Sequence, residues 1–230
     1  MSRRLVSITL DNLGDLPHRC RRCVFWELDP VAGERACAAG GTELEKEAWV
    51  SDTLLEWGSC GYLSYVDGLA AGYVLYAPPA YVPRSLAFPT SPVGADAVLL
   101  MTARVLPEFT GGGLGRMLVQ AVARDISRRG VRAIEAFGRD GDGRETGGDS
   151  DGDGRKTGGA AAPKHGAGAQ HDCLLPAAYL LSVGFKTVRP HPRTPRLRLD
   201  IKSTVSWRED VEYALERLRG SMQSPVLAHS

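Results

Sequence analysis

The sequence has no apolar run long enough to cross a membrane. A membrane-spanning helix needs about 20 consecutive apolar residues, and polar or charged residues interrupt every apolar stretch of this chain well before that length. The amino end also differs from a secretory signal peptide, because Met1-Ser2-Arg3-Arg4 leads into alternating apolar and polar residues rather than an apolar core. These absences predict a cytoplasmic protein with no membrane partner.

The chain also lacks a charge excess and a disulfide framework. Its formal net charge is +1, which gives no reason to expect nucleic acid as a partner. Five cysteines, an odd number, lie in a chain whose 43% hydrophobic content suffices for a packed core, so we expect reduced thiols. The 230 residues accommodate one domain of about 150–200 residues with additional irregular segments.

A Cys-x-x-Cys sequence near the amino end raises the question of a metal site. Cys20 and Cys23, with Cys37 and His18 nearby, supply enough ligand types for zinc. The second Cys-x-x-Cys or histidine pair of a zinc site is missing. We therefore expect no metal and interpret the two thiols as small buried side chains beside Phe25-Trp26, on the acceptor side of the fold.

The most informative stretch runs from Val98 to Arg129. An apolar run through Val105 predicts a buried strand. After a glycine-rich turn, apolar residues recur at three- or four-residue spacing, which predicts a helix that starts near Gly113 and ends before Gly130.

The glycine-rich turn suits a phosphate group. Four glycines within residues 111–115 leave backbone N–H groups unshielded, and the first helical turn adds its own unpaired donors. The helix dipole favours an anion there, and Arg116 adds a cation. The turn lacks the Gly-Lys-Ser/Thr of a phosphate loop and the third glycine of a dinucleotide fingerprint.

The rest of the chain alternates predicted strands and helices. We expect strands at 5–10, 61–66, 69–76, 131–137, 186–188 and 196–201, and helices at 42–57, 176–184 and 206–220. Residues 77–95 contain five prolines and predict an irregular connection. The strand, helix, strand order around the glycines predicts an α/β fold with a mixed (α+β) sheet and a site at the carboxyl end of the central strand.

Residues 138–172 differ from the rest in composition. Glycine and aspartate dominate, large apolar residues are almost absent, and Asp149 to Gly154 begins like a calcium-binding loop but has Ala160 where the bidentate glutamate is needed. We predict a disordered insertion at 138–172, one domain made of 1–137 and 173–220, and a flexible tail at 221–230.

The central stretch resembles the GNAT superfamily of acyl-coenzyme A-dependent N-acyltransferases. Val105-Leu106-Pro107 and Thr110-Gly111-Gly112-Gly113-Leu114-Gly115 match its strand end and its Arg/Gln-x-x-Gly-x-Gly/Ala signature, except that Thr110 replaces the long first side chain. The resemblance implies that Arg104, Val105 and Leu106 pair with the pantetheine arm of acetyl-coenzyme A and that N–H groups from Gly111 to Arg116 hold its pyrophosphate. The implied cofactor-binding residues are Arg104, Val105, Leu106, Thr110, Gly111, Gly112, Gly113, Leu114, Gly115 and Arg116.

The segment ending in Gly184-Phe185 is similar to the second GNAT signature, a helix beside the pantetheine and acetyl groups. Many relatives carry a general-acid tyrosine four residues before that glycine, where this chain has Leu180. Tyr179 lies one residue earlier, a rotation of about 100° on a helix, and is our candidate acid. Glu135 and Asp96 are candidate bases, with a water chain as the alternative that needs no side chain.

Two functions from different classes follow. The resemblance implies an N-acetyltransferase that moves an acetyl group to a primary amine of a small molecule or protein. The 77–95 connection either lines the acceptor pocket, with Tyr81 and Arg84 as candidate contacts, or is a solvated loop. Thr110 and Leu180 instead favour a non-catalytic coenzyme A-binding module. The apolar side of the final helix packs either on its own domain or on a second copy, so a homodimer is one of two expectations.

Overall fold

The computed structural model describes residues 2–140 and 173–201. They form one eight-stranded mixed sheet in the order β1-β2-β3-β4-β5-β8-β7, with the short β6 paired to β5. The strands are β1 Arg3–Ser7, β2 Gly61–Val66, β3 Leu69–Ala77, β4 Ala97–Val105, β5 Ala133–Arg139, β6 Leu175–Pro176, β7 Lys186–Arg189 and β8 Arg196–Asp200. The β4–β5 and β5–β6 pairs are parallel, and the other neighbours are antiparallel. The predicted fold class, a mixed sheet flanked by helices, is confirmed.

Helices cover both faces of this sheet. They are α1 His18–Arg21, α2 Pro30–Ala39, α3 Thr42–Glu56, α4 Leu114–Arg128 and α5 Ala177–Ser182. Side chains alternate between the faces along each strand, so Leu99 and Met101 pack in the same cluster as Trp26 and Trp49 of the amino-terminal segments. Their neighbours Val98 and Leu100 pack with α4 and α5 in a second cluster. The first part of the central strand, Ala97 to Met101, is therefore apolar and buried because both of its faces are covered.

Several element boundaries differ from the sequence-based expectations. The first strand is Arg3–Ser7 rather than 5–10, because Asn12 turns the chain by donating to the Ser7 carbonyl and accepting from the Thr9 N–H. The strand predicted at 131–137 continues to Arg139, inside the predicted insertion, because the Gly138 N–H donates to the Pro195 carbonyl at 2.8 Å.

Helix α2 was not predicted from the sequence. Asp29 caps it by accepting from the N–H groups of Val31 and Ala32, Pro30 occupies its first position, and Gly40 ends it in the left-handed conformation. The predicted helix at 206–220, the homodimer that depends on it, the tail at 221–230 and all but the first three residues of the predicted insertion lie outside the described residues. The domain boundaries stay a prediction.

Candidate functional site

The sheet opens between β4 and β5. The two strands pair only from Ala97 opposite Ala133 to Leu99 opposite Glu135. Beyond these pairs β4 follows β3 as far as Val105, while β5 follows β8 and β6. Within the part of the chain that the structure describes, the carboxyl half of β4 therefore has a strand neighbour on one side only.

The backbone groups of residues 104–106, next to this opening, differ in the direction they face. The Leu106 N–H donates to the Ala71 carbonyl at 2.9 Å, so this predicted cofactor contact has its donor occupied by the protein. Hydrogen-bonded and non-hydrogen-bonded pairs alternate along antiparallel strands. Arg104, opposite Tyr73, therefore faces β3 with its backbone groups, and Val105, opposite Gly72, faces the opening.

The glycine turn follows directly and presents a row of donors. Gly111 and Gly113 have φ values of 79° and 76°, a conformation that a side chain would strain. Helix α4 begins after Gly113, whose carbonyl accepts the first intrahelical bond from the Met117 N–H. The N–H groups of residues 111–116 donate to no other residue of the described ranges, so the turn keeps its full capacity to bind an anion.

Three side chains shape this turn. Arg3 of β1 donates through Nη1 to the Gly112 carbonyl at 2.9 Å across 109 positions of the chain, a contact that the sequence analysis missed. The Thr110 hydroxyl donates to the Pro107 carbonyl at 2.8 Å and so closes its own turn. Arg116 donates to the Ser182 carbonyl at 3.4 Å and links α4 to α5.

Tyr179 lies in the same cleft as the glycine turn. The cleft encloses about 310 Å³ and is lined by Val105, Phe109, Thr110, Gly111, Gly113, Leu114, Gly115, Arg116, Tyr179, Ser182 and Val183. The Tyr179 hydroxyl is buried and has no hydrogen-bond partner among residues 2–140 and 173–201, and it lies 2.8 Å from the position that a Cβ on Gly115 would occupy. Leu180 is fully buried in the core, so helix α5 turns Tyr179 and not Leu180 to the cleft.

Burial also sets the protonation state of Tyr179. Loss of solvent raises the pKa of its hydroxyl, and the Arg116 guanidinium offsets part of the rise. The hydroxyl therefore keeps its proton throughout the physiological pH range. A buried donor without an acceptor is costly, which makes this atom the strongest indication that the cleft receives a ligand.

The two candidate bases lie elsewhere, in an ion-pair network at the start of β5. Glu135 is only 2% exposed and is paired with Arg196 and, at 3.1 Å, with Arg198, while the Gly94 N–H donates to it at 3.1 Å. Asp96 pairs with Arg198 at 2.8 Å, and this contact lowers the pKa of Asp96. Neither carboxylate lines the cleft that holds Tyr179, so the structure does not bring the candidate acid and the candidate bases together.

Aromatic rings fill the other face of the sheet next to β5. Phe88 stacks on Phe137 with ring centroids 4.3 Å apart, and Trp26 stacks on Phe88 at 5.3 Å. The Arg84 guanidinium lies 4.5 Å from the centroid of the Phe25 ring. Both Phe25 and Phe88 belong to segments that the sequence analysis assigned to the acceptor side.

Two further features of this face have no local sequence signal. Lys46 and Glu27 form an ion pair with 2% and 4% exposure. The Tyr81 carbonyl accepts a hydrogen bond from the Trp49 indole at 2.7 Å.

Among residues 2–140 and 173–201, no group of three or more histidine, cysteine, aspartate or glutamate side chains is arranged to hold a metal ion. None of the helices in these ranges has the length and apolar content of a membrane crossing.

The mixed sheet thus splits at its parallel pair β4–β5, and a glycine turn and helix α4 follow the split strand. No protein-family profile matches the chain, and no curated protein matches its sequence. Among solved structures, the chain is similar to the PaiA N-acetyltransferase from Thermoplasma acidophilum in complex with coenzyme A, with a TM-score of 0.50 and 10% identity over 87% of this chain and 99% of that one. It is also similar to the loading GNATL domain of CurA from Lyngbya majuscula, with a TM-score of 0.50 and 12% identity over 88% and 100% of the two chains. The chain therefore has the GNAT fold, as its central signature predicted.

Proposed function

We propose that the protein is an N-acetyltransferase that uses acetyl-coenzyme A and a primary amine of a small molecule or protein. The two substrates react by direct attack in a ternary complex, in the cytoplasm. One observation carries the proposal: the cleft that holds the Tyr179 hydroxyl is also lined by residues 111 and 113–116 of the glycine turn, and neither that hydroxyl nor the N–H groups of the turn have a partner among the described residues.

The residues that line the cleft fit a coenzyme A-type cosubstrate. The N–H groups of residues 111–116, at the positive end of α4, suit a diphosphate. A Cβ on Gly111 or Gly113 would meet open space, so the bare backbone is available to an anion that approaches closely. The Val105 N–H, which faces the split in the sheet, suits a carbonyl or amide of an extended chain. When bound, acetyl-coenzyme A supplies the activated acetyl thioester.

Tyr179 is the proposed general acid. Its hydroxyl stays protonated because burial raises its pKa, and acyl transfer from a thioester needs a proton for the departing sulfur. Its position over the first turn of α4 puts this proton next to the proposed cosubstrate. Holding both reactants in one cleft supplies much of the rate, since positioning alone lowers such barriers by about 7–11 kcal/mol.

Neither of the two ion-paired carboxylates, Glu135 and Asp96, is well suited to accept the proton that the amine loses. Both oxygens of Glu135 already accept hydrogen bonds from Arg196, Arg198 or Gly94, and the lowered pKa of Asp96 makes it a weaker base. We keep Glu135 as a proposed base that acts only if one arginine contact opens. Removal of the proton by water molecules needs no such opening and fits the observed pairing better.

A non-catalytic coenzyme A-binding module is the second candidate. It is favoured by the stack of Trp26, Phe88 and Phe137 on the acceptor side and by the engagement of Glu135 in ion pairs. Such a module would use the same glycine turn and would have no need of the Tyr179 proton.

A thiol-release assay separates the two functions. The full chain is incubated with acetyl-coenzyme A and a panel of small primary amines, peptides with a free amino terminus and lysine-containing peptides. Release of coenzyme A that depends on an amine, and that Tyr179→Phe slows without weakening coenzyme A binding, supports the enzyme. Binding of coenzyme A without release for any member of the panel supports the module.

A further inference from the structure

Two cysteines that are distant in the sequence meet beside the acceptor-side aromatic stack. The Sγ atoms of Cys23 and Cys173 lie 3.3 Å apart although 150 positions separate them in the sequence. A second contact holds the two segments together, since the Trp26 indole donates to the Cys173 carbonyl at 3.2 Å. Neither thiol belongs to a disulfide, and both are half-buried, so small reagents can reach them.

The geometry selects this pair and not the Cys-x-x-Cys sequence. Cys20 is a hydrogen-bond partner of the buried Tyr73 hydroxyl. Cys60 is fully buried in the core, and burial raises its pKa to about 12. Burial also raises the pKa of Cys37, and the charge of Cys23 adds to the rise. The sulfur–sulfur distance of 3.3 Å is what selects Cys23 and Cys173 as the reacting pair.

The two thiols have opposite characters. The hydrogen bond from Cys173 lowers the pKa of Cys23 to about 7, against burial and the charge of Glu27, and Lys46 adds to the lowering. The same contact raises the pKa of Cys173. Since the thiolate is the reactive form of cysteine, Cys23 is the attacking sulfur near neutral pH and Cys173 is the second, resolving sulfur.

We propose that Cys23 and Cys173 form a redox modification site, which closes to a reversible disulfide by exchange with a low-molecular-weight disulfide. The Cys23 thiolate attacks one sulfur of the small disulfide, breaks its S–S bond and releases one small thiolate. Cys173 then loses its proton to solvent and attacks the Cys23 sulfur, which releases the second small thiolate. The protein pair is oxidised by two electrons, and the small disulfide is reduced to two thiols.

The bond requires little movement. A disulfide has an S–S length of about 2.05 Å, so the two sulfurs must approach by about 1.3 Å from their separation of 3.3 Å. Closure would fix Cys173, which lies just before β6 and helix α5, to the segment that precedes α2. The site goes beyond the proposed acetyl transfer and depends on none of its residues.

The decisive experiment maps thiols in the full chain. The reduced protein is equilibrated with glutathione disulfide, blocked with an alkylating reagent, digested and analysed by mass spectrometry. We expect a Cys23–Cys173 linkage that dithiothreitol reverses, and Cys20→Ser, the matched control, should form it equally. A Cys20–Cys23 linkage, glutathione adducts without a linkage, or five unmodified thiols in the wild-type chain would each overturn the proposal.

A second measurement needs no disulfide to form. The rate of Cys23 alkylation in the reduced chain should rise with pH around a midpoint near 7. Cys173→Ala removes the hydrogen-bond donor, so the midpoint should move towards the value of about 8.5 of a free thiol. An unchanged midpoint in a variant whose circular dichroism matches the wild type would contradict the pairing. Coenzyme A binding is measured in parallel, so failure here and failure of the acetyltransferase proposal remain distinguishable.

Discussion

Gly115→Ala perturbs the candidate site through a single methyl group. The new Cβ would stand 2.8 Å from the Tyr179 hydroxyl oxygen, while carbon and oxygen atoms in contact normally stay about 3.5 Å apart. The hydroxyl must therefore retreat by about 0.7 Å. Tyr179 lines the cleft, so its displaced ring takes up space that the proposed cosubstrate needs.

The effect on folding should be small and the effect on function large. Alanine is favoured over glycine in a helix by up to about 1 kcal/mol, which offsets the cost of moving the end of one side chain. We expect the free energy of unfolding to change by less than about 1 kcal/mol. Coenzyme A affinity should fall at least tenfold, about 1.4 kcal/mol, and turnover by about 100-fold, because small misplacements of reacting groups are costly.

Calorimetry with coenzyme A, urea unfolding and the thiol-release assay measure these three quantities. Gly112→Ala is the matched comparison, because a Cβ there would meet Arg3 at 3.2 Å rather than Tyr179, so its binding loss should stay within the roughly fivefold loss expected when the Arg3 contact is removed. Adding Tyr179→Phe to Gly115→Ala removes the clashing oxygen and leaves the ring carbon at 3.4 Å, so binding should recover while turnover should not. Equal binding losses in Gly112→Ala and Gly115→Ala, or no recovery in the double variant, would refute this reasoning.

Three further predictions concern other contacts. Tyr179→Phe should lower kcat by about 100-fold with little change in coenzyme A affinity. A pH–rate profile of the variant should lose the alkaline decline expected of the wild type, which burial moves above the range of a free tyrosine by raising the Tyr179 pKa. An unchanged profile would exclude Tyr179 as the acid. Arg3→Met should weaken coenzyme A binding about fivefold in calorimetry by releasing the turn carbonyl, whereas Arg4→Met, which loses only a contact with an aromatic ring, should not; equal effects would contradict a specific role for Arg3. Lys46→Met should lower the free energy of unfolding in urea by about 3–5 kcal/mol, because it leaves Glu27 buried and unpaired. A Lys46→Met, Glu27→Leu double variant should recover most of that loss. Additive losses would count against the buried pair.

The sequence predicted best the parts that depend on neighbouring residues. The apolar run of β4, the glycine turn and the apolar spacing of α4 are local patterns, and the structure has each of them where it was expected. The strands expected at 61–66 and 69–76 also form, and they pair as an antiparallel hairpin around Asp67-Gly68. The ends of strands were predicted less accurately. The end of β1, for example, depends on the hydrogen bond that the Asn12 side chain donates to the Ser7 carbonyl.

The contacts that the sequence analysis missed join residues far apart in the chain. Arg3 reaches the glycine turn across 109 positions, and Cys23 reaches Cys173 across 150. The sequence around Glu135 does not show that its carboxylate is ion-paired, because both arginine partners lie on the distant strand β8. Such pairings follow from sheet order, which local spacing does not encode.

The orientation of Tyr179 is an intermediate case. Helix α5 has six residues, too few for an apolar periodicity to fix which side faces the core. The resemblance pointed to the position of Leu180, which the structure buries completely. A rotation of about 100° per residue decides between the two, and only the packing of α5 against the sheet shows that Tyr179 borders the cleft.

Titration calorimetry with coenzyme A and with pantetheine, which lacks the diphosphate, examines the glycine turn of residues 111–116 directly. If its free N–H groups hold a diphosphate, coenzyme A should bind with measurable heat and pantetheine at least about 100-fold more weakly, a difference of about 2.7 kcal/mol. No heat with coenzyme A, or equal affinity for the two compounds, would contradict a cosubstrate site at this turn.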